Sequence, residues 1–146
     1  MNIKEKVANL VKDYGTNNVY DLIERLDISL VFTNLDTSML GIYRKLKRNK
    51  FIFIEDSLDD INKKFILAHE LGHAVLHSSV NCFFLENNSF FVKNKIEREA
   101  NEFSAELLID DVELKDLLCS SYTTAQIAAL MEVPESLILY KLKNLK

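Results

Sequence analysis

The chain has 146 residues, 48% of them hydrophobic, with three Gly and one Pro, which suits one compact domain with little linker. Its 22 acidic and 18 basic side chains leave a net charge of −4, so nothing in the overall charge favours nucleic-acid binding. No window approaches 18 uninterrupted apolar residues, and the amphipathic start MNIKEKVANLVKDYG lacks a signal-type apolar core. The expectation is a cytoplasmic protein without membrane contact, whose two cysteines, Cys82 and Cys119, are free thiols.

Residues 3 to 14 read as a helix with Ile3, Val7, Leu10 and Val11 on one face, ended by Gly15. Asn17 or Asn18 can cap a second helix reaching about Leu26, with Val19, Leu22 and Ile23 inward. Strand signals follow at Ile28 to Thr33, Leu40 to Leu46 and Phe51 to Glu55, the last two joined by the polar loop Lys47-Arg48-Asn49-Lys50. These predict a three-stranded antiparallel sheet that needs an apolar cover on one face.

That cover is the helix predicted over 58 to 78, begun by Asp56 or Ser57 with Asp59 and Asp60 in its first turn. At about 100° per residue it is apolar in nearly every direction, as expected of a buried helix. Its one polar notch holds His69, Glu70, His73 and His77, which include all three histidines of the chain. Buried polar groups must be paired or must bind something. His69 and His73, at i and i+4, lie one above the other, so two ring nitrogens can reach one cation. Imidazole suits Zn²⁺, and Glu70 is placed to take a proton from a water that the metal activates. Gly72 is a poor helix former, which predicts a close neighbour at that point.

Residues 82 to 92 (CFFLENNSFFV) suggest a short hairpin, and 95 to 109 a helix with Ile96, Ala100, Phe103 and Leu107 inward. A short helix near 112 to 119 precedes a helix–turn–helix-like pair, Thr123 to Met131 and Glu135 to Leu145, separated by Pro134. From Asp111 onward five acids and four lysines sum to −1, whereas a duplex reader carries a basic footprint, so direct DNA binding is not expected. The chain therefore reads as one domain, 1–146, with a catalytic core over 1–110 and a helical extension over 111–146.

Catalytic zinc usually takes three protein ligands. The helix over 95 to 109 offers Glu97, Glu99, Glu102 and Glu106. On the wheel Glu99 and Glu106 both border the Phe103 edge of the apolar stripe, Glu97 flanks the other edge, and Glu102 points outward. Periodicity leaves Glu99 and Glu106 level.

The combination FILAHELGHAVLH followed by EREANEFSAELL resembles the ImmA/IrrE family of zinc-dependent metallo-endopeptidases, a resemblance that runs from the helical opening to about Asp110. It implies a gluzincin-like α+β peptidase in which the glutamate before Ala-Asn, Glu99, is the third ligand beside His69 and His73. In well-known gluzincins an aspartate one turn after the ligand glutamate supports a ligand histidine; counted from Glu99 that position is Phe103. The resemblance further implies a protein substrate, a helix–turn–helix repressor of a phage, mobile-element or stress-response module. For oxyanion stabilisation the chain offers His77, Tyr43, Tyr122 and Tyr140. The rival expectation is a regulator or toxin–antitoxin component that acts by binding alone.

Overall fold

A computed structural model describes residues 1–35, 38–85 and 94–144. Two short helices open the chain, α1 (Ile3–Tyr14) and α2 (Val19–Arg25). Asn2 and Asn18 cap them, each accepting a backbone N–H three residues on, and Gly15 ends α1 with a left-handed φ of 69°. The buried Ile3 and Val7 of α1, and Val19, Leu22 and Ile23 of α2, face the core as their spacing predicts.

The sheet differs from the expected three antiparallel strands. Among the described residues it has four, β1 (Ile28–Thr33), β2 (Met39–Leu46), β3 (Asn49–Glu55) and β4 (Cys82–Leu85), in the order β1-β3-β2-β4. β2 is antiparallel to both its neighbours, whereas β1 runs parallel to β3. The reason lies in two connections. The β2–β3 ladder continues to Leu46↔Asn49, so only Lys47 and Arg48 form the turn, with Lys47 at a φ of 58°. That turn forces β3 back along β2 and onto the flank facing β1. Glu55, at the end of β3, then fastens the chain leaving β1: Leu35 N–H donates to Oε1 at 2.7 Å and Ser57 N–H to Oε2 at 2.9 Å. β4 extends the sheet along the free edge of β2, pairing Phe83 with Ile42 and Cys82 with Tyr43. The second half of the expected 82–92 hairpin lies outside the described residues.

One face of the sheet carries the core side chains. Ile28, Tyr43, Ile52, Ile54 and Phe84 are buried there under α3 (Asp60–Leu76), which lies against β2, β3 and β4. Asp59 caps α3, two or three residues later than the expected Ser57 or Asp56, with its side chain accepting Asn62 N–H at 2.8 Å. Gly41 permits β2 to approach α3 closely: a Cβ there would lie 2.8 Å from Ile66 and 3.2 Å from Glu70 Oε1. On the far side of α3 lies α4 (Lys95–Leu108), and the close neighbour of Gly72 is Phe103, whose ring would sit 3.1 Å from an added Cβ.

The carboxy-terminal helices, α5 (Asp111–Leu118), α6 (Thr124–Met131) and α7 (Glu135–Asn144), place Leu114, Ile127, Leu137 and Ile138 in the same buried cluster as the sheet and α3. Thr123 and Gln126 form a reciprocal capping box at the start of α6. Lys141 of α7 is 4% exposed and held by Glu106 Oε1 at 2.5 Å and Asp111 Oδ1 at 2.9 Å. Among the described residues no helix is long and apolar enough to cross a membrane.

Candidate metal centre

The last turns of α3 and the residue that caps its end set out a ladder of imidazoles at positions 69, 73 and 77, facing α4 rather than solvent. His69 and His73 are 1% and 0% exposed. Their Nε2 atoms lie 3.2 Å apart, and the Phe84 ring of β4 stands edge-on to His69 with centroids 4.8 Å apart. The Glu97 carboxylate of α4 closes the group, with Oε2 2.9 Å from His69 Nε2 and Oε1 3.1 Å from His73 Nε2. Among the described residues this is the group of His, Cys, Asp or Glu atoms that converges closely enough for one ion.

The donor set fits zinc. Tetrahedral zinc with ligand bonds of about 2.0–2.1 Å has neighbouring ligand atoms roughly 3.3 Å apart. The three separations observed, 2.9, 3.1 and 3.2 Å, approach that edge length in a group of two nitrogens and one oxygen. Electrostatics agree. Burial lowers the His73 pKa, favouring the neutral ring that can ligate. Burial opposes ionisation of Glu97, but hydrogen bonds from His69 and His73 outweigh it and hold the carboxyl down to about 2.

Glu70 stands apart from this exchange. It is fully buried between α3 and Gly41 of β2, and among the described residues neither of its oxygens has a hydrogen-bond partner. Burial, and then the charge of Glu97, raise its pKa well above the ordinary carboxyl value. A buried, unsatisfied carboxyl is costly, and such groups gather at functional sites.

The structure distributes the other sequence candidates differently from expectation. Glu99 does not join the group around His69 and His73; its Oε1 lies 3.3 Å from His77 Nε2. Glu97, which the helical wheel put on the opposite edge of the stripe, is the carboxylate in reach. Glu97 and Glu99 are about 200° apart around α4, so the two side chains leave it on different sides and meet different rungs of the ladder. Glu106 is engaged by Lys141. Of the oxyanion candidates, Tyr43 is fully buried and donates its hydroxyl to the Ser78 carbonyl at 2.7 Å. Tyr140 sits beside Glu102 and Glu106, and Tyr122 is 48% exposed. His77 remains next to the centre, its Nδ1 3.2 Å from His73 Nδ1.

Two imidazoles and a carboxylate converging on one point, with a second carboxyl buried beside them, is the arrangement of a metallopeptidase site of the HExxH type. The chain belongs to the ImmA/IrrE peptidase family: the family described as the IrrE N-terminal-like domain matches residues 23–143. It is 34% identical over 146 aligned positions to Metallopeptidase ImmA of Bacillus subtilis (strain 168), covering 98% of this chain and 85% of that protein. It is also 37% identical over 146 positions to Uncharacterized immunity region protein 2 of Bacillus phage phi105, covering 97% of this chain and 92% of the relative.

Proposed function

We propose that the protein is a cytoplasmic zinc endopeptidase that cleaves a helix–turn–helix repressor and thereby releases a phage or mobile-element module. The observation that carries the enzymatic part is the pairing of a three-donor group, His69, His73 and Glu97, with the carboxyl of Glu70, which has no hydrogen-bond partner among the described residues. A binding-only regulator has no need to keep Glu70 buried without a partner, because that burial opposes folding. The repressor as substrate rests on the family resemblance and on the phage immunity region that names one relative.

His69, His73 and Glu97 are the ligands assigned, in place of the Glu99 that the resemblance implied. Zinc, when bound, supplies Lewis-acid polarisation of a carbonyl and a water of lowered pKa. Glu70 does the proton work. Its pKa, raised by burial, suits a group that takes a proton from water and returns it to the leaving amine. Gly41 keeps β2 close against Glu70 and fixes its depth. The ring of Phe84 and the inner face of the sheet keep bulk water from the same pocket, which strengthens each electrostatic interaction within it.

The helical extension reads as packing or partner surface rather than as a DNA reader. Of its few cations, Lys141 is buried and neutralised by Glu106 and Asp111.

The test is to incubate the purified protein with the helix–turn–helix repressors of its own genome, with and without a chelator. Cleavage that the chelator stops is expected. Glu70→Gln should retain zinc and lose about 10²–10⁴ in rate, whereas His69→Ala should lose both zinc and cleavage. Undiminished cleavage by the Gln variant would remove Glu70 from its role, and complex formation without cleavage would favour the binding-only regulator.

A further inference from the structure

The imidazole ladder does not end at the ligand pair. His73 Nδ1 faces His77 Nδ1 at 3.2 Å, and the other nitrogen of His77, Nε2, faces Glu99 Oε1 at 3.3 Å. The side chains of His77 and Glu99 are only 8% and 14% exposed, so water competes little for these contacts.

From these contacts, and resting on the metal reading above, we infer that Glu99 and His77 form a positioning relay that holds His73 in its metal-binding tautomer. The hydrogen-bond logic runs one way along the chain of groups. An ionised carboxylate only accepts, so Glu99 draws the His77 proton onto Nε2. A neutral imidazole carries one N–H, so His77 Nδ1 is left bare and can only accept. With an ion in place of the proton that His73 Nε2 shares with Glu97 Oε1 at 3.1 Å, His73 then donates from Nδ1 and turns its Nε2 lone pair to the side where His69 Nε2 and Glu97 lie. Remove the carboxylate, and the proton of His77 is free to sit on Nδ1. It would then face the Nδ1–H of His73, and relief of that clash moves the His73 proton to Nε2, where it blocks the ligand.

The same logic gives Glu99 a purpose that is not ligation. α4 carries two carboxylates two positions apart, one meeting the ligand nitrogens and one meeting the far end of the relay. His69 has no equivalent support: its Nδ1 lacks a partner among the described residues. Among the described residues, the support for the centre therefore comes from the His73 side.

The experiment compares zinc affinity, by competition with a chromophoric chelator, in the wild type, Glu99→Gln, His77→Phe and Glu97→Gln, with ¹⁵N spectra of the histidine rings in the zinc-loaded wild type. Glu99→Gln and His77→Phe should each weaken zinc binding about 10–100-fold while still binding one ion per chain at saturation. The spectra should show His77 protonated at Nε2 and bare at Nδ1. Unchanged affinity in both relay variants overturns the relay, as does the opposite His77 tautomer in the wild type. Loss of the ion from Glu99→Gln even at saturation, with Glu97→Gln merely weakened, also overturns it by making Glu99 a ligand. A wild type that binds no zinc sinks the metal reading itself, a separate result. The ring spectra need no variant to fold.

Discussion

Glu70 and Cys82 show how one pocket treats two acids. Both are buried, and both have pKa values raised first by that burial. Cys82 lies on the inward face of β4, where burial and the charges of Glu70 and Glu97 push its thiol up to about 12. Since only the thiolate reacts with alkylating agents, Cys82 should be almost inert at pH 8 in the metal-free protein. Its labelling rate should keep rising beyond pH 10, where an ordinary thiol has levelled off; the exposed Cys119 supplies the internal control. Mass spectrometry of a pH series reads both rates, and equal labelling of the two at pH 8 would contradict the burial of Cys82. At this scale the candidate site was partly legible in the sequence. His69, Glu70 and His73 are set by spacing along a single helix, which periodicity reads directly. The α4 carboxylate depends on how two helices cross, which periodicity does not encode. The stripe through Phe103 told which face is buried, and Glu97 and Glu99 both lie near its margins. One residue-level clue favoured Glu97: the position one turn after it is the buried amide Asn101, where the position one turn after Glu99 is Phe103.

At the scale of elements, helices were easier to read than strand partners. Caps, apolar stripes and Gly15 place α1, α2 and α4 within a residue or two, because those signals are local. Strand existence was legible for the same reason, but strand order was not. Whether β1 pairs with β2 or β3 depends on a two-residue turn that the polar run 47–50 disguised as a longer loop, and on a carboxylate clasp across the chain. That clasp gives acid sensitivity a definite sign. Hydrogen bonds from Ser57, then from Leu35, lower the folded pKa of Glu55 below its ordinary 4.5. Its contribution to stability is thus present above about pH 4.5 and is lost as pH falls through the lower folded value. Denaturant midpoints followed from pH 6 to 3 should fall more steeply for the wild type than for Glu55→Gln. Parallel slopes would show that the clasp contributes nothing.

For the whole molecule, the extension over α5–α7 bears on stability as well as on partners. Leu114, Ile127, Leu137 and Ile138 are all fully buried and share the cluster that contains the sheet. A buried lysine fixes the outermost helix to α4, the helix that carries Glu97 and Glu99. Breaking one side of a buried ion pair leaves charge without compensation, so Lys141→Met should cost on the order of 3 kcal/mol. Lys4, which also holds Asp111 at 2.6 Å, offsets part of that loss. Equilibrium unfolding in urea measures it; a change below about 0.5 kcal/mol, the range of ordinary surface substitutions, would make the extension an appendage rather than a support.

The placement of β3 between β1 and β2 also constrains the order in which the chain assembles. Only the β2–β3 ribbon closes over a short span, whereas β1 must wait until some twenty residues have doubled back before its partner edge exists, and β4 arrives from beyond α3. Local pairings form early because they forfeit little loop entropy. The ribbon around Lys47 is therefore the natural seed of the sheet.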